Sequence, residues 1–120
     1  ILLKDNHIDF AGGIKNAINR CHEYLKKKGL NLKIEIEVRN FDELQQVLNN
    51  GGVNRIMLDN FTVENTKKAV ALIKGRYETE SSGGITFNTI HDYAETGVDY
   101  ISVGALTHSV KGLDMSFKAC

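Results

Sequence analysis

The apolar positions switch between two periods along the chain, and the switching predicts strands separated by helices. Ile1 to Lys4 reads as a short strand. Ile14, Ala17, Ile18, Cys21 and Leu25 recur at spacings of three and four, which places them on one helical face, and Gly29 is positioned to close that helix as a left-handed cap. From Leu32 to Val38 the chain alternates strictly, Leu-Lys-Ile-Glu-Ile-Glu-Val, as a strand does. Asn40 followed by Glu43 forms a capping box for a second helix through Leu44, Val47 and Leu48, which Gly51 and Gly52 end. Arg55 to Leu58 is the third strand, and a helix through Val63, Ala69, Val70 and Ile73 runs to Gly75. Arg76 to Glu80 gives a weaker fourth strand. Phe87, Ile90 and Ala94 mark one side of a helix running to Gly97, and Asp99 to Val103 is the fifth strand. A helical turn after Gly104 leads into a tail, Leu113 to Lys118.

Strand, helix, strand repeated in this way predicts crossover units and an α/β fold with five parallel strands and four main helices. The chain has no Pro and no linker-like stretch, so no domain boundary is expected inside it. Its first residue is not Met and already reads as a strand, which suggests that the fold begins upstream. Lys plus Arg and Asp plus Glu stand at 15 each, so no bulk field draws the chain to nucleic acid or an anionic membrane. No apolar run approaches the roughly 20 residues that span a bilayer, and no signal-peptide layout is present, so a cytoplasmic location is expected by default. Cys21 and Cys120 make no disulfide framework; Cys21 falls on the apolar helix face and is expected to be buried.

Polar residues recur where strands end: Glu37, Asp59, the run Glu80-Ser81-Ser82-Gly83-Gly84, and Gly104, one per unit. In parallel sheets and barrels this C-terminal rim is where ligands bind. Glu37 and Asp59 place two carboxylates on it, able to hold hydrated magnesium, bind sugar hydroxyls or stabilise positive charge developing on a ribose. Glu35 alternates with Glu37, so one of the two can face a barrel interior and the other the rim. Ser81-Ser82-Gly83-Gly84 precedes a helix, so its amides can converge on an anion, and Ser102-Val103-Gly104-Ala105 offers a second set. Each of these runs is also compatible with an ordinary loop, and Asp59 with a helix cap. Lys4, with Asp5, Asn6 and His7, follows the first strand and can neutralise a carboxylate or phosphate. His22 and His91 lie within helices, and no pair of histidines has zinc-ligand spacing.

The ordered blocks Leu3-Lys4-Asp5-Asn6-His7, Glu35-Ile36-Glu37-Val38, Met57-Leu58-Asp59-Asn60-Phe61, Glu80-Ser81-Ser82-Gly83-Gly84-Ile85 and Gly97 through Ser109 closely resemble the quinolinate phosphoribosyltransferases, also called nicotinate-nucleotide pyrophosphorylases (carboxylating). Leu113-Asp114-Met115-Ser116 resembles the family's C-terminal region. The resemblance implies an incomplete parallel α/β barrel of TIM type, with residues 1–120 forming the C-terminal part of the barrel domain and with the N-terminal domain and early barrel strands absent. It implies transfer of the phosphoribosyl group of phosphoribosyl pyrophosphate to quinolinate, with release of pyrophosphate and carbon dioxide, and Mg2+ accompanying the donor. On the matching positions, Lys4 would contact the anionic substrates. Glu37 and Asp59 would face the ribose hydroxyls and, indirectly, the magnesium, and Ser82, Gly83, Gly84, Gly104 and Ala105 would cradle phosphate, with His108 a further candidate. The family's quinolinate-gripping arginines lie outside this chain, and none of Arg20, Arg39, Arg55 and Arg76 is nominated to replace them, so the chain alone is expected to be inactive. A homodimer or higher homo-oligomer is expected. The alternatives are a molybdenum-utilisation paralogue on the same scaffold and a non-catalytic phosphate-binding or assembly module.

Overall fold

The computed structural model describes residues 1–4, 8–9 and 11–103, and the backbone of 116–118. Strands β1 (Leu2–Leu3), β2 (Glu35–Val38), β3 (Arg55–Asp59), β4 (Glu78–Ser82), β5 (Tyr100–Ser102) and β6 (Ser116–Lys118) form one sheet in chain order. The first five are parallel to their neighbours, as the alternating pattern predicts. The segment expected to be a plain tail instead contributes β6, antiparallel to β5 with Ile101 opposite Phe117. Three residues are too few for periodicity to mark a strand.

Helices α1 (Ile14–Lys28), α2 (Phe41–Asn50), α3 (Val63–Ile73) and α4 (Ile90–Ala94) connect the parallel strands. The α1 positions read from the sequence are the ones it buries, and Gly29 caps it at φ 66°. The Asn40 side chain accepts from the Glu43 N–H at 2.8 Å, while Glu43 reaches back to the Arg39 N–H at 2.7 Å, so the capping box forms with its second arm one residue further out. Thr62 caps α3 through the Asn65 N–H. The last helix is shorter than its apolar spacing suggests: Thr86 to Thr89 form a turn in which the Thr86 N–H donates to Thr89 Oγ1, and Phe87 is 61% exposed rather than packed.

Alternation along the strands divides the sheet into two unlike faces. Leu3, Ile36, Val38, Ile56, Leu58, Ile101 and Val103 point toward the helices and join Ile18, Leu25, Leu44, Val47, Ala69 and Ile73 in a single core. Burying each large aliphatic side chain there contributes about 1.5 to 3 kcal/mol, which fixes the register and therefore what the other face displays. That other face carries Glu35, Glu37, Arg55, Met57, Asp59, Glu78, Glu80, Ser82, Tyr100 and Ser102, intermediate in exposure apart from the buried Met57 and Glu80. A sheet with helices on one face and charged groups on the other is an arc of a barrel seen from inside. The arc is open, with β1 and β6 at its edges.

Candidate functional site

The strand register turns the sequence candidates into a layered surface. Glu37 stands opposite Met57, which stands opposite Glu80, while Asp59 stands opposite Ser82. Asp59 is therefore two residues further toward the C-terminal rim than Glu37, about 6.6 Å along the strand direction. Leu3 pairs with Ile36, so the same ladder continued by one residue brings Lys4 alongside Glu37. Lys4, Glu37, Asp59 and Ser82 thus share one face and one half of the sheet, and Lys4 is exposed there. Of the two β2 glutamates, both face inward, with Glu37 nearer the rim.

Beyond Ser82 the chain turns through Gly83 at φ 88° and Gly84 at φ 68°, conformations that suit glycine. The fourth strand runs to Ser82 instead of stopping at Glu80, because its ladder with β3 continues through Asp59 opposite Ser82. Helix α4 begins only at Ile90, so its N-terminus does not border the loop, and the backbone of Ser82 to Gly84 is what the loop has to offer an anion. Adjacent, the Asn60 N–H donates to the Ser82 carbonyl at 2.9 Å. Gly104, Ala105 and His108 lie outside the described residues.

Across the same inner face, from β2 to β5, runs a network that local pattern does not reveal. Arg55 Nη1 lies 3.3 Å from Glu80 Oε1 and Nη2 lies 3.5 Å from Glu78 Oε1, and the guanidinium stacks 3.9 Å from the Tyr100 ring centre. Ser102 Oγ donates to Glu80 Oε2 at 2.7 Å. Glu35 faces the same group: burial pushes its carboxyl up to about 7, the Glu80 carboxylate adds to this by its charge and by hydrogen bonding, and Arg55 opposes it. Burial disfavours charge on Arg55, but Glu35, Glu78 and Glu80 outweigh that and raise its pKa. Glu80, read from the sequence as the rim end of the fourth strand, is instead its buried middle residue, 4% exposed. Arg55 opens an apolar run and reads alone as a solvated strand end; only the register with β4 shows that it faces two carboxylates.

Among the described residues no group of three or more His, Cys, Asp and Glu side chains is arranged to hold a metal ion. Glu37 and Asp59 supply hard oxygen donors of the kind magnesium takes one or two at a time, with phosphate oxygens and water completing its shell. His22 and His91 are exposed; His22 Nε2 lies 2.7 Å from the Gly52 carbonyl oxygen and His91 pairs with Glu95. Cys21 is a buried free thiol whose pKa burial raises.

Known proteins resemble this chain over nearly its whole length. The chain is 48% identical to a chloroplastic nicotinate-nucleotide pyrophosphorylase [carboxylating] of Arabidopsis thaliana over 98% of its residues, which is 38% of that protein. It is 44% identical to a probable nicotinate-nucleotide pyrophosphorylase [carboxylating] of Methanocaldococcus jannaschii over 97% of its residues and 42% of that protein. The structure of the nicotinate-nucleotide pyrophosphorylase from Francisella tularensis superposes with a TM-score of 0.81 at 42% identity, covering 94% of this chain and 39% of that one. The enzyme from Ehrlichia chaffeensis gives 0.82 at 39% identity, covering 95% and 40%. The chain thus spans about two fifths of the length of these relatives. Residues 1–118 match the model of the quinolinate phosphoribosyl transferase C-terminal domain, and the chain belongs to that family.

Proposed function

We propose that the full-length protein containing this chain is a decarboxylating quinolinate phosphoribosyltransferase of NAD biosynthesis. The quinolinate ring nitrogen takes the anomeric carbon of phosphoribosyl pyrophosphate, the bond to pyrophosphate breaks, and carbon dioxide leaves with a proton from solvent taking its place on the ring, giving nicotinate mononucleotide. The observation that carries this reading is the convergence of Lys4, Glu37, Asp59 and the Ser82–Gly84 loop on one half of one sheet face in a chain of this family. Breaking the anomeric bond develops positive charge on the ribose, and two carboxylates at this level stabilise that charge or hold the ribose hydroxyls. Lys4 offsets negative charge on the substrates, and the backbone of Ser82, Gly83 and Gly84 receives the phosphate, joined by Gly104, Ala105 and His108. Glu37 and Asp59 would hold donor-bound magnesium indirectly, and its charge would offset that of the leaving pyrophosphate.

The same reading makes residues 1–120 the C-terminal part of a barrel domain, with an N-terminal domain and earlier strands supplied from outside this chain. It also takes the protein to be a homodimer or larger homo-oligomer. No helix among the described residues is long and apolar enough to cross a membrane. The cytoplasm is proposed as its location, to be checked by cell fractionation, since some plant relatives are named as chloroplastic or mitochondrial. The deciding experiment supplies the full-length protein with quinolinate, phosphoribosyl pyrophosphate and magnesium. Stoichiometric carbon dioxide and nicotinate mononucleotide are expected, whereas phosphate binding without turnover would assign a non-catalytic module instead.

A further inference from the structure

We propose that Asn60 is a positioning residue that locks the loop carrying Asp59 to the Ser82–Gly84 loop, so that both act as one unit on a phosphorylated ribose. The inference rests on the phosphate reading of that loop. Asn60 adopts φ 57°, one of two positive values at non-glycine positions among the described residues, the other being Lys74. Asparagine tolerates this region better than most residues, yet glycine would occupy it with less strain, so the side chain is not there for the turn alone.

What the side chain does is visible at Gly83. A Cβ built on Gly83 would lie 2.5 Å from Asn60 Oδ1, 2.9 Å from its Cγ and 3.0 Å from its backbone nitrogen. The amide therefore lies directly against the Gly83 backbone, and the Asn60 N–H donates to the Ser82 carbonyl just before it. Two successive glycines have wide conformational freedom, and a side chain packed against the first of them removes much of it. The contact can position the loop because its other end is fixed. The Phe61 ring is 6% exposed and meets the Phe41 ring edge-on at 5.5 Å, and the Phe61 carbonyl accepts from the Tyr93 hydroxyl of α4 at 2.7 Å. Asn60 thus projects from an anchored base onto the paired glycines of the rim loop, next to Asp59.

The test is made in the full-length protein with Asn60→Gly, which keeps the positive φ and the N–H to Ser82 but removes the amide. The KM for phosphoribosyl pyrophosphate should rise about tenfold, and inhibition by inorganic phosphate should weaken in parallel, as expected for a misplaced binding group. The KM for quinolinate should stay within about twofold and Tm within about 2 °C, no more than the shift that about 1 kcal/mol gives in a protein larger than about 150 residues. Unchanged kinetics, or a fall in Tm with both KM values intact, would overturn the positioning role. Gly83→Ala, which meets both the φ of 88° and the 2.5 Å contact, separates the two readings. If it leaves inhibition by inorganic phosphate intact, the phosphate loop itself is misassigned and the positioning role falls with it. If it abolishes that inhibition while Asn60→Gly behaves as wild type, only the role of Asn60 fails.

Discussion

Glu80 shows how a single residue depends on partners distant in sequence. Its carboxylate is almost fully enclosed and is held by Arg55 from β3 and Ser102 from β5. Arg55→Ala would leave it buried beside Glu35 and Glu78 without its cation, and urea denaturation should show a loss of about 3 kcal/mol. Replacing Arg55 and Glu80 together by Leu and Met should cost less than Arg55→Ala, because the most deeply buried carboxylate is then removed with its cation. Glu35 adds a pH dependence. Its folded-state pKa is raised from the ordinary 4.5 to about 7, so the folded chain binds this proton more tightly than the unfolded chain does. The resulting stabilisation is fully present below about pH 4.5 and is lost as pH rises through about 7. In metal-free buffer the urea midpoint should therefore fall between about pH 5 and about pH 8, and Glu35→Gln should flatten that fall. None of this was legible locally. Glu37 could be read at the rim from its place at the strand end, but only cross-strand register shows that Glu35 lies opposite Arg55.

At the scale of elements, the sequence was informative where one segment carries its own reason to fold. Helix α1 was readable from five apolar positions and a glycine cap, and α2 from its Asn40 cap. Asn40→Ala should cost about 1 kcal/mol in thermal or chemical denaturation, since Asn40 satisfies the Glu43 N–H. Elements that depend on neighbours were read less well. β4 is offset by two residues from its expected span because its sequence, Glu-Thr-Glu-Ser-Ser, is polar on both faces and is held by pairing with β3. Its helix-facing Thr79 is satisfied by Asp99, whose Oδ2 accepts from both the Thr79 N–H and hydroxyl. The loop after β4 was found as a small-residue run, but its supposed helix N-terminus starts six residues beyond Gly84, at Ile90. Gly83→Val should abolish inorganic phosphate binding, because a Cβ there meets Asn60 whatever the side chain beyond it. Undiminished binding in a titration of that variant would place the anion elsewhere.

For the molecule as a whole, the order of strands and helices was already visible in the sequence, and the resemblance over five separate blocks named the family that the matched domain shows. The antiparallel β6 was not visible, nor was the Arg55 and Glu80 network on the same inner face as Lys4, Glu37 and Asp59. The open arc leaves the edge of β1 and a charged inner face without the strands that would close a barrel. The 120-residue chain on its own should therefore self-associate in sedimentation and give no saturable signal with quinolinate. Two carboxylates call for paired guanidinium groups, and two of the chain's four arginines are engaged elsewhere, Arg55 with Glu78 and Glu80 and Arg39 with Glu43. The most direct measurement is turnover of the full-length protein carrying Glu37→Gln and Asp59→Asn together, at saturating quinolinate and phosphoribosyl pyrophosphate. If these carboxylates face the reacting ribose, kcat should fall by about 10²-fold or more while the thermal transition stays cooperative. A folded double variant with wild-type kcat would contradict the placement of the reaction on this face.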